Sequence, residues 1–385
     1  MDIALFTNAR TGELVPISQP DHDHAFIPDA LPPAWEIDAG TWAKIADAKM
    51  ELGRLDGAAK TLPNPQLLLS PLRREESLTS SALEGTYAKA EELMLFELEE
   101  EEERPRGKEP GDAAVLEVNN YNKALAQGYR LLGEWPFCAR IITELHETLM
   151  TGVRGGSKNP GQFRNHQVHI GSDRRYIPPP ADRLMETFDA FERYVNRDDD
   201  GMEPLVKCFI AHYQFEAIHP FSDGNGRIGR VLLSLMIYKW CKLGMPWLYM
   251  SPFFDRYKDE YIGNLFKVSS EGAWKKWIDF CMTGVIEQCK KTVRKCDKLR
   301  GLRDDMRSRV KDGKARSQGV IDSLFEIPFI RAVDIARDRN VSLPTARAEI
   351  AYLTGKGILR ESSQRHARSR TYYAPEIIAA AYEAY

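Results

Sequence analysis

Residues 217–230 read AIHPFSDGNGRIGR, and two apolar, helix-like stretches meet at this segment. In the preceding run, 204–218, Val206, Phe209, Ile210, Tyr213 and Ala217 fall on one helical stripe. The following run, VLLSLMIYKWC, is apolar nearly all round, as a buried central helix would be. A plain helix connection has no use for a histidine, an acid, an asparagine, several glycines and two arginines in so short a space. Gly224, Gly226 and Gly229 let backbone amides converge on one point and let a ligand come close. The second helix, expected to begin near Arg227, aims its positive dipole end at that point. Arg227 and Arg230 add cationic charge on neighbouring helical positions. Such a cradle suits an anion. An acid amid those donors, Asp223, is reconciled with phosphate if it holds a divalent cation that bridges phosphate oxygens. Asn225 can donate to a phosphate without adding charge, and His219 can exchange a proton near neutral pH. Metal, phosphate cradle, cations and base together are what in-line displacement at a nucleotide phosphate requires.

The composition frames this reading. The 385-residue chain is long enough for two or three compact units, and 43% hydrophobic with 28% charged residues is ordinary for a globular protein. A formal net charge of −3 argues against wholesale coating of nucleic acid while leaving room for a local basic patch. No apolar run approaches the roughly 18 residues of a membrane span, and the start MDIALFTNARTGELVP lacks a secretory core. No membrane association is expected. Cys138, Cys208, Cys241, Cys281, Cys289 and Cys296 form no CxxC pair and read as reduced thiols, which points to the cytoplasm.

Outward from the turn, residues 1–40 read as an extended arm, with turn formers such as FIPDALPP. Helical periodicity covers Trp42–Ala59, one long stretch from Pro71 to Leu98, then Ala113–Leu132, Pro136–Met150 and Asp182–Tyr194. The acidic run ELEEEEERPRGKEPGD reads as an exposed loop. NHQVHIGSDRRYIPPP (165–180) reads as a hairpin around Gly171, Ser172 and Asp173. Beyond a charged helix and linker at 300–317 the pattern changes. Three short helices, the third capped by Ser342 with Pro344 in its first turn, precede two alternating strands around a basic turn. That order describes a winged helix-turn-helix.

The turn resembles the motif of the Fic family, HPFx[D/E]GNGRxxR, and His219–Arg230 match it without departure. The resemblance implies an all-α Fic fold, a helical bundle core with a β-hairpin flap. It also implies a protein adenylyltransferase that moves AMP from ATP to a Ser, Thr or Tyr hydroxyl of a target protein and releases pyrophosphate. By that analogy His219 deprotonates the hydroxyl, Asp223 binds Mg2+, and Asn225 with the Gly224–Arg227 backbone holds the α- and β-phosphates. Arg230 would reach the γ-phosphate, and Tyr261, in the stretch following SPFFDRYKDE, would line the adenine side. The intact GNGR favours AMP over the phosphate that relatives with a lysine at the first arginine transfer. GQFR (161–164) and the hairpin resemble the family's flap, where Val168, His169 and Ile170 would align a target peptide by strand addition. SSALEG (80–85) resembles the inhibitory pattern [S/T]xxxE[G/N] placed before the core, as in class II. Here Ser80, Glu84 and Gly85 would form the inhibitory element, with Glu84 pairing Arg230 and denying it to ATP.

The units expected are thus an N-terminal arm and helix (1–60), an inhibitory helix and acidic loop (61–112), a catalytic core (113–298), a linker (299–316) and a winged helix-turn-helix (317–385). In the last, Arg347, Arg360, Arg365, Arg368 and Arg370 would meet DNA, or else the module would pack as a dimer or target-docking element. A homodimer is expected by the family analogy. Two competing functions stay open: removal of AMP by a water that Glu84 positions, and a nucleotide-sensing regulator that binds DNA through the tail.

Overall fold

Apolar residues at helical spacing build most of the molecule. The computed structural model describes residues 1–7, 11–18, 23–60, 65–98, 110–153, 159–171, 174–198, 201–311, 315–362 and 370–382. A short 3-10 turn (Ile3–Leu5) precedes the antiparallel strands β1 (Gly12–Ile17) and β2 (Asp23–Pro28), paired from Gly12 with Pro28 to Ile17 with Asp23. The arm is therefore a β-hairpin, where the sequence suggested only extended chain. Its second strand buries Ala25, Phe26 and Ile27, and the Phe26 N–H donates to Ile177 O (2.8 Å), which ties the hairpin to the segment expected to be the flap.

Helices follow: α1 (Ala39–Lys60), α2 (Gln66–Leu83), α3 (Ala90–Leu98), α4 (Pro110–Leu131), α5 (Ala139–Met150), α6 (Leu184–Val195), α7 (Pro204–Ile218), α8 (Asn225–Trp240), α9 (Ser251–Arg256), α10 (Lys258–Glu271) and α11 (Trp274–Arg309). The single stretch expected over 71–98 is two helices. α2 stops at Glu84 because Gly85 takes φ +83, a left-handed conformation that continues no right-handed helix. α8 starts two residues before the expected Arg227. The expected hairpin at 165–180 reduces, among the described residues, to one bridge between Ile170 and Tyr176. Its tip, Ser172 and Asp173, lies outside the described residues, as do 99–109 of the acidic run. The prolines at 178–180 withhold the N–H groups a longer ladder would need.

After α11 come α12 (Ala315–Glu326), β3 (Phe329–Arg331), α13 (Ala332–Asp338), α14 (Leu343–Gly355), β4 (Arg360–Glu361), β5 (Thr371–Tyr373) and α15 (Pro375–Tyr382), with strand order β3-β5-β4. Ser342 caps α14, accepting from the Thr345 N–H (3.3 Å). The strand β3 and the helix α15 were not foreseen, and Arg365 and Arg368 fall outside the described residues. This unit is fastened to α11 by the pair of bonds from Arg309 to Glu376 (2.7 and 2.9 Å), and α12 and α15 pack on α2. α2 also touches α4, α8, α9 and α11, so the helix ending at Glu84 sits at the centre of the molecule. All six cysteines are free thiols, and no helix among the described residues is long and apolar enough to cross a membrane.

Candidate active site

The site is made where α7 hands over to α8. α7 is started by Glu203, whose carboxylate accepts from the Leu205 (2.8 Å) and Val206 (3.2 Å) amides, with Pro204 in the first turn. It ends at His219, held in the left-handed region (φ 50), and the turn reaches α8 through Gly224 (φ 77). That conformation costs a histidine about 1–2 kcal/mol, so its surroundings must impose it. Arg164 does so. Its Nε donates to His219 O (2.8 Å), its Nη2 to Pro179 O (2.6 Å), its Nη1 to His166 O (3.1 Å), and its backbone N–H to Pro220 O (2.9 Å). A second brace is His146, stacked on Phe221 at 3.8 Å between ring centroids. Its Nδ1 accepts from the Gly161 N–H (2.9 Å) and its Nε2–H donates to Asp223 O (3.0 Å). Burial pulls His146 down to about 4, so the neutral ring keeps that one tautomer at physiological pH.

Beside the turn lies a cavity of about 450 Å3 whose wall includes Glu84, Ile170, Glu216, His219, Arg230 and Tyr261. The His219 Nδ1–H donates to Glu216 O (3.3 Å), leaving Nε2 as the accepting nitrogen. Burial first, then the charge of Arg164, pulls His219 down to about 4, so the ring is a neutral acceptor near pH 7. Arg230 is buried, and its charge is stabilised against that burial by Glu84. It donates from Nη2 to Glu84 Oε1 (2.7 Å) and to Ser80 O (2.9 Å), and from Nε to Ser80 Oγ (2.8 Å). Burial alone would raise the Glu84 carboxyl, but the Arg230 charge outweighs it and holds Glu84 below its ordinary range. A methyl group on Gly226 would collide with Glu84 Oε1, so the glycine makes room for this ion pair. Lys258 Nζ donates to Leu83 O (2.7 Å) and closes the C-terminal end of α2.

Two expected phosphate contacts are not arranged as anticipated. The Asn225 side chain is buried and turned back on the loop: its Oδ1 accepts from the Phe221 N–H and its Nδ2 donates to Phe221 O, both 2.8 Å. It shapes the turn. Arg227 is also buried and faces Glu117 on α4, with which it makes a close ion pair, and it does not border the cavity. Glu117 also accepts from Thr86 Oγ1 (2.8 Å), so one acid clasps both the turn and the chain just past Gly85. Tyr261 does line the cavity, stacked on Phe254 at 4.3 Å. Its hydroxyl donates to His212 Nε2 (2.9 Å), whose Nδ1–H reaches Gly229 O (3.2 Å). Of the expected flap residues, Ile170 borders the cavity and exchanges backbone bonds with Tyr176, His169 is exposed and Val168 is half-buried.

Asp223 Oδ1 accepts from the Gly224 N–H (2.7 Å) and lies 3.7 Å from Arg227 Nη2, with about a third of the side chain exposed. No group of three acid, histidine or cysteine side chains gathers among the described residues. A cation here would share one carboxylate with substrate phosphate oxygens and water, which is the coordination Mg2+ accepts. His146, Glu117 and Glu216 were missed from the sequence. Each is an ordinary helix residue, and what it touches lies elsewhere along the chain.

Residues 42–130 match the Fic/DOC family N-terminal model and residues 136–237 the Fic/DOC family model. Proteins named protein adenylyltransferase Fic from Drosophila erecta and Drosophila melanogaster are 35% and 34% identical over 102 residues, which is 26% of this chain and 19% of theirs. The chain thus aligns with about a fifth of the length of these relatives. A Fic family protein from Desulfovibrio desulfuricans superposes with a TM-score of 0.57 at 20% identity, covering 89% of this chain and 98% of that one. A Fic-domain signaling protein from Bacteroides thetaiotaomicron gives 0.51 at 17% identity, covering 65% and 97%. With the expected motif on the α7–α8 turn, the chain carries a Fic/DOC family N-terminal segment at 42–130 and a Fic/DOC family segment at 136–237, in a fold shared with these structures.

Proposed function

We propose that the protein is an adenylyltransferase that moves AMP from ATP to a protein hydroxyl, and that Glu84 holds it inhibited. The reading is supported by the name of its relatives and by the chemistry of the cavity. His219 offers a neutral ring with Nδ1 already bonded, so Nε2 can take the proton of an incoming hydroxyl. The hydroxyl oxygen then bonds to the α-phosphorus, the bond from that phosphorus to the bridging oxygen breaks, and pyrophosphate leaves. The α8 N-terminus with Gly224 and Gly226 presents amides to phosphate, and Arg230 would meet the γ-phosphate. Asp223 would hold Mg2+, which when bound neutralises phosphate charge. Arg227 and Asn225 contribute by fixing the loop.

The observation that carries the inhibitory part is the bond from Arg230 to Glu84 at 2.7 Å, with Ser80 holding the same guanidinium twice. A γ-phosphate and Glu84 cannot both have it. Incubation with labelled ATP tests the whole reading. Glu84→Gly should raise transfer to the protein itself or to lysate targets at least tenfold, and His219→Ala should lower it by about 10²–10⁴. Equal labelling of Glu84→Gly and parent would refute inhibition, and undiminished labelling of His219→Ala would refute the base. Removal of AMP would use the same groups with Glu84 holding a water. DNA binding has weaker support, since the outer face of α14 offers Arg347 among Ala348, Ala351 and Thr354, and Arg370 lies 3.6 Å from Glu361.

A further inference from the structure

The last turn of α7 carries a carboxylate that the proposed chemistry leaves unused. Glu216 lines the cavity one turn before His219 and is partly exposed to it, yet its Oε1 is closed to solvent and has no hydrogen-bond partner. That oxygen rests on Gly229, where a methyl group would collide with it, as Glu84 Oε1 rests on Gly226. On α8 Gly226 lies one turn from both Gly229 and Arg230, so Glu84 is bonded to the guanidinium while Glu216 lies within its electrostatic reach. Arg230 gives its hydrogen bonds to Glu84 and Ser80. An ionised Glu216 beside them would be a buried charge without a donor, which is costly. Burial pushes its carboxyl up to about 7, with Arg230 opposing the rise and Glu84 adding to it. The other ionisable groups on this wall are Arg175 and Tyr176 from the flap side, Tyr213 and His219 of α7, and Tyr261 of α10. Burial keeps the three tyrosines protonated and His219 neutral, so Glu216 is the group among them whose charge changes near neutrality.

We infer that Glu216 is the standby counter-ion of Arg230: it ionises when no other anion holds the guanidinium and takes up a proton when Glu84 or a nucleotide phosphate does. This positioning role rests on the reading that Arg230 receives a phosphate of ATP. It answers a physical need, because Arg230 is buried and the departure of Glu84 would otherwise leave its charge unpaired. The proton count follows. In a protein without Glu84, ATP arriving beside an ionised Glu216 raises its affinity for a proton, so binding takes one up and weakens as pH rises towards 7. In the parent, phosphate replaces a carboxylate and the count barely changes.

The test is calorimetric titration of Mg2+–ATP into Glu84→Gly in buffers of different ionisation enthalpy at pH 6.5. The expected uptake is about half a proton or more, and it should vanish in Glu84→Gly/Glu216→Gln apart from the nucleotide's own titration. The same uptake in both proteins would overturn the inference. Should the Gln variant fail to melt cooperatively, Glu216→Asp serves instead. The shorter acid withdraws from Gly229 and should keep the uptake with its midpoint moved to lower pH, and an unmoved midpoint counts against Glu216. Arg230→Ala in the Glu84→Gly background separates the two layers. If it leaves ATP affinity intact, the phosphate reading falls and this inference with it. If it weakens ATP while Glu216→Gln keeps the uptake, only the role of Glu216 falls.

Discussion

The α7–α8 turn and the Glu84 end of α2 meet at Arg230, and they are held in opposite ways. The turn is fixed from every side: Arg164 on its carbonyls, His146 on Asp223, Asn225 on Phe221, and Glu117 on Arg227. All four braces are buried side chains, and removing one leaves an unsatisfied group inside the protein. The α2 end is held by Arg230 and by Lys258, and the Glu84 side chain is 40% exposed. Water can solvate the Glu84 carboxylate when it leaves, although the buried Arg230 then needs another anion. Under the proposed function the loop has to stay fixed and the plug has to move, and the difference between them lies in burial rather than in the number of bonds.

Three substitutions probe this contrast. Glu117→Ala should do the most damage, because it strands the buried Arg227 charge and frees Thr86. A loss of about 3–5 kcal/mol in chemical denaturation is expected, together with loss of transfer. A cost under about 1 kcal/mol would mean that the turn does not depend on that clasp. Gly224→Ala comes next. It forces alanine into φ 77 and puts its methyl 2.9 Å from Met150 Sδ. Roughly 2 kcal/mol should be lost by thermal melting, and nucleotide binding should weaken as the α8 N-terminus shifts. Lys258→Ala should be the mildest for stability, about 0.5–1 kcal/mol, since it removes one cation from the end of α2. Yet it should raise basal transfer by a few-fold in the labelled-ATP assay, because the plug loosens while the loop stays. A fall in transfer would place Lys258 with the catalytic machinery and blur the contrast.

Most helices were legible from apolar spacing, and their bounds shifted by only a few residues. The break at Glu84–Gly85 was hidden because the periodicity of 71–98 runs across it, so a glycine inside a helical pattern was passed over. The flap was overread: alternation of side chains in 165–180 suggested paired strands, while the prolines leave a single bridge. The N-terminal hairpin was underread, since its strands are stabilised by Ile177 and the Val268–Ser269 backbone, to which Thr11 Oγ1 donates (3.0 and 3.2 Å). No window of sequence contains both halves of such a contact.

By itself the sequence determined the turn, its glycines, the place of His219 at its start and the ion pair between Glu84 and Arg230, the turn because its geometry is set by neighbouring residues and the pair because a family pattern names its members. Tertiary structure decided which arginine serves the cavity. Two arginines three residues apart on a helix differ in direction by only about 60°. Glu117 on α4 claims one and Ser80 with Glu84 on α2 the other. It also turned Asn225 inward and set Glu216 against Gly229, because charges settle according to what packs around them and not according to their place in the chain.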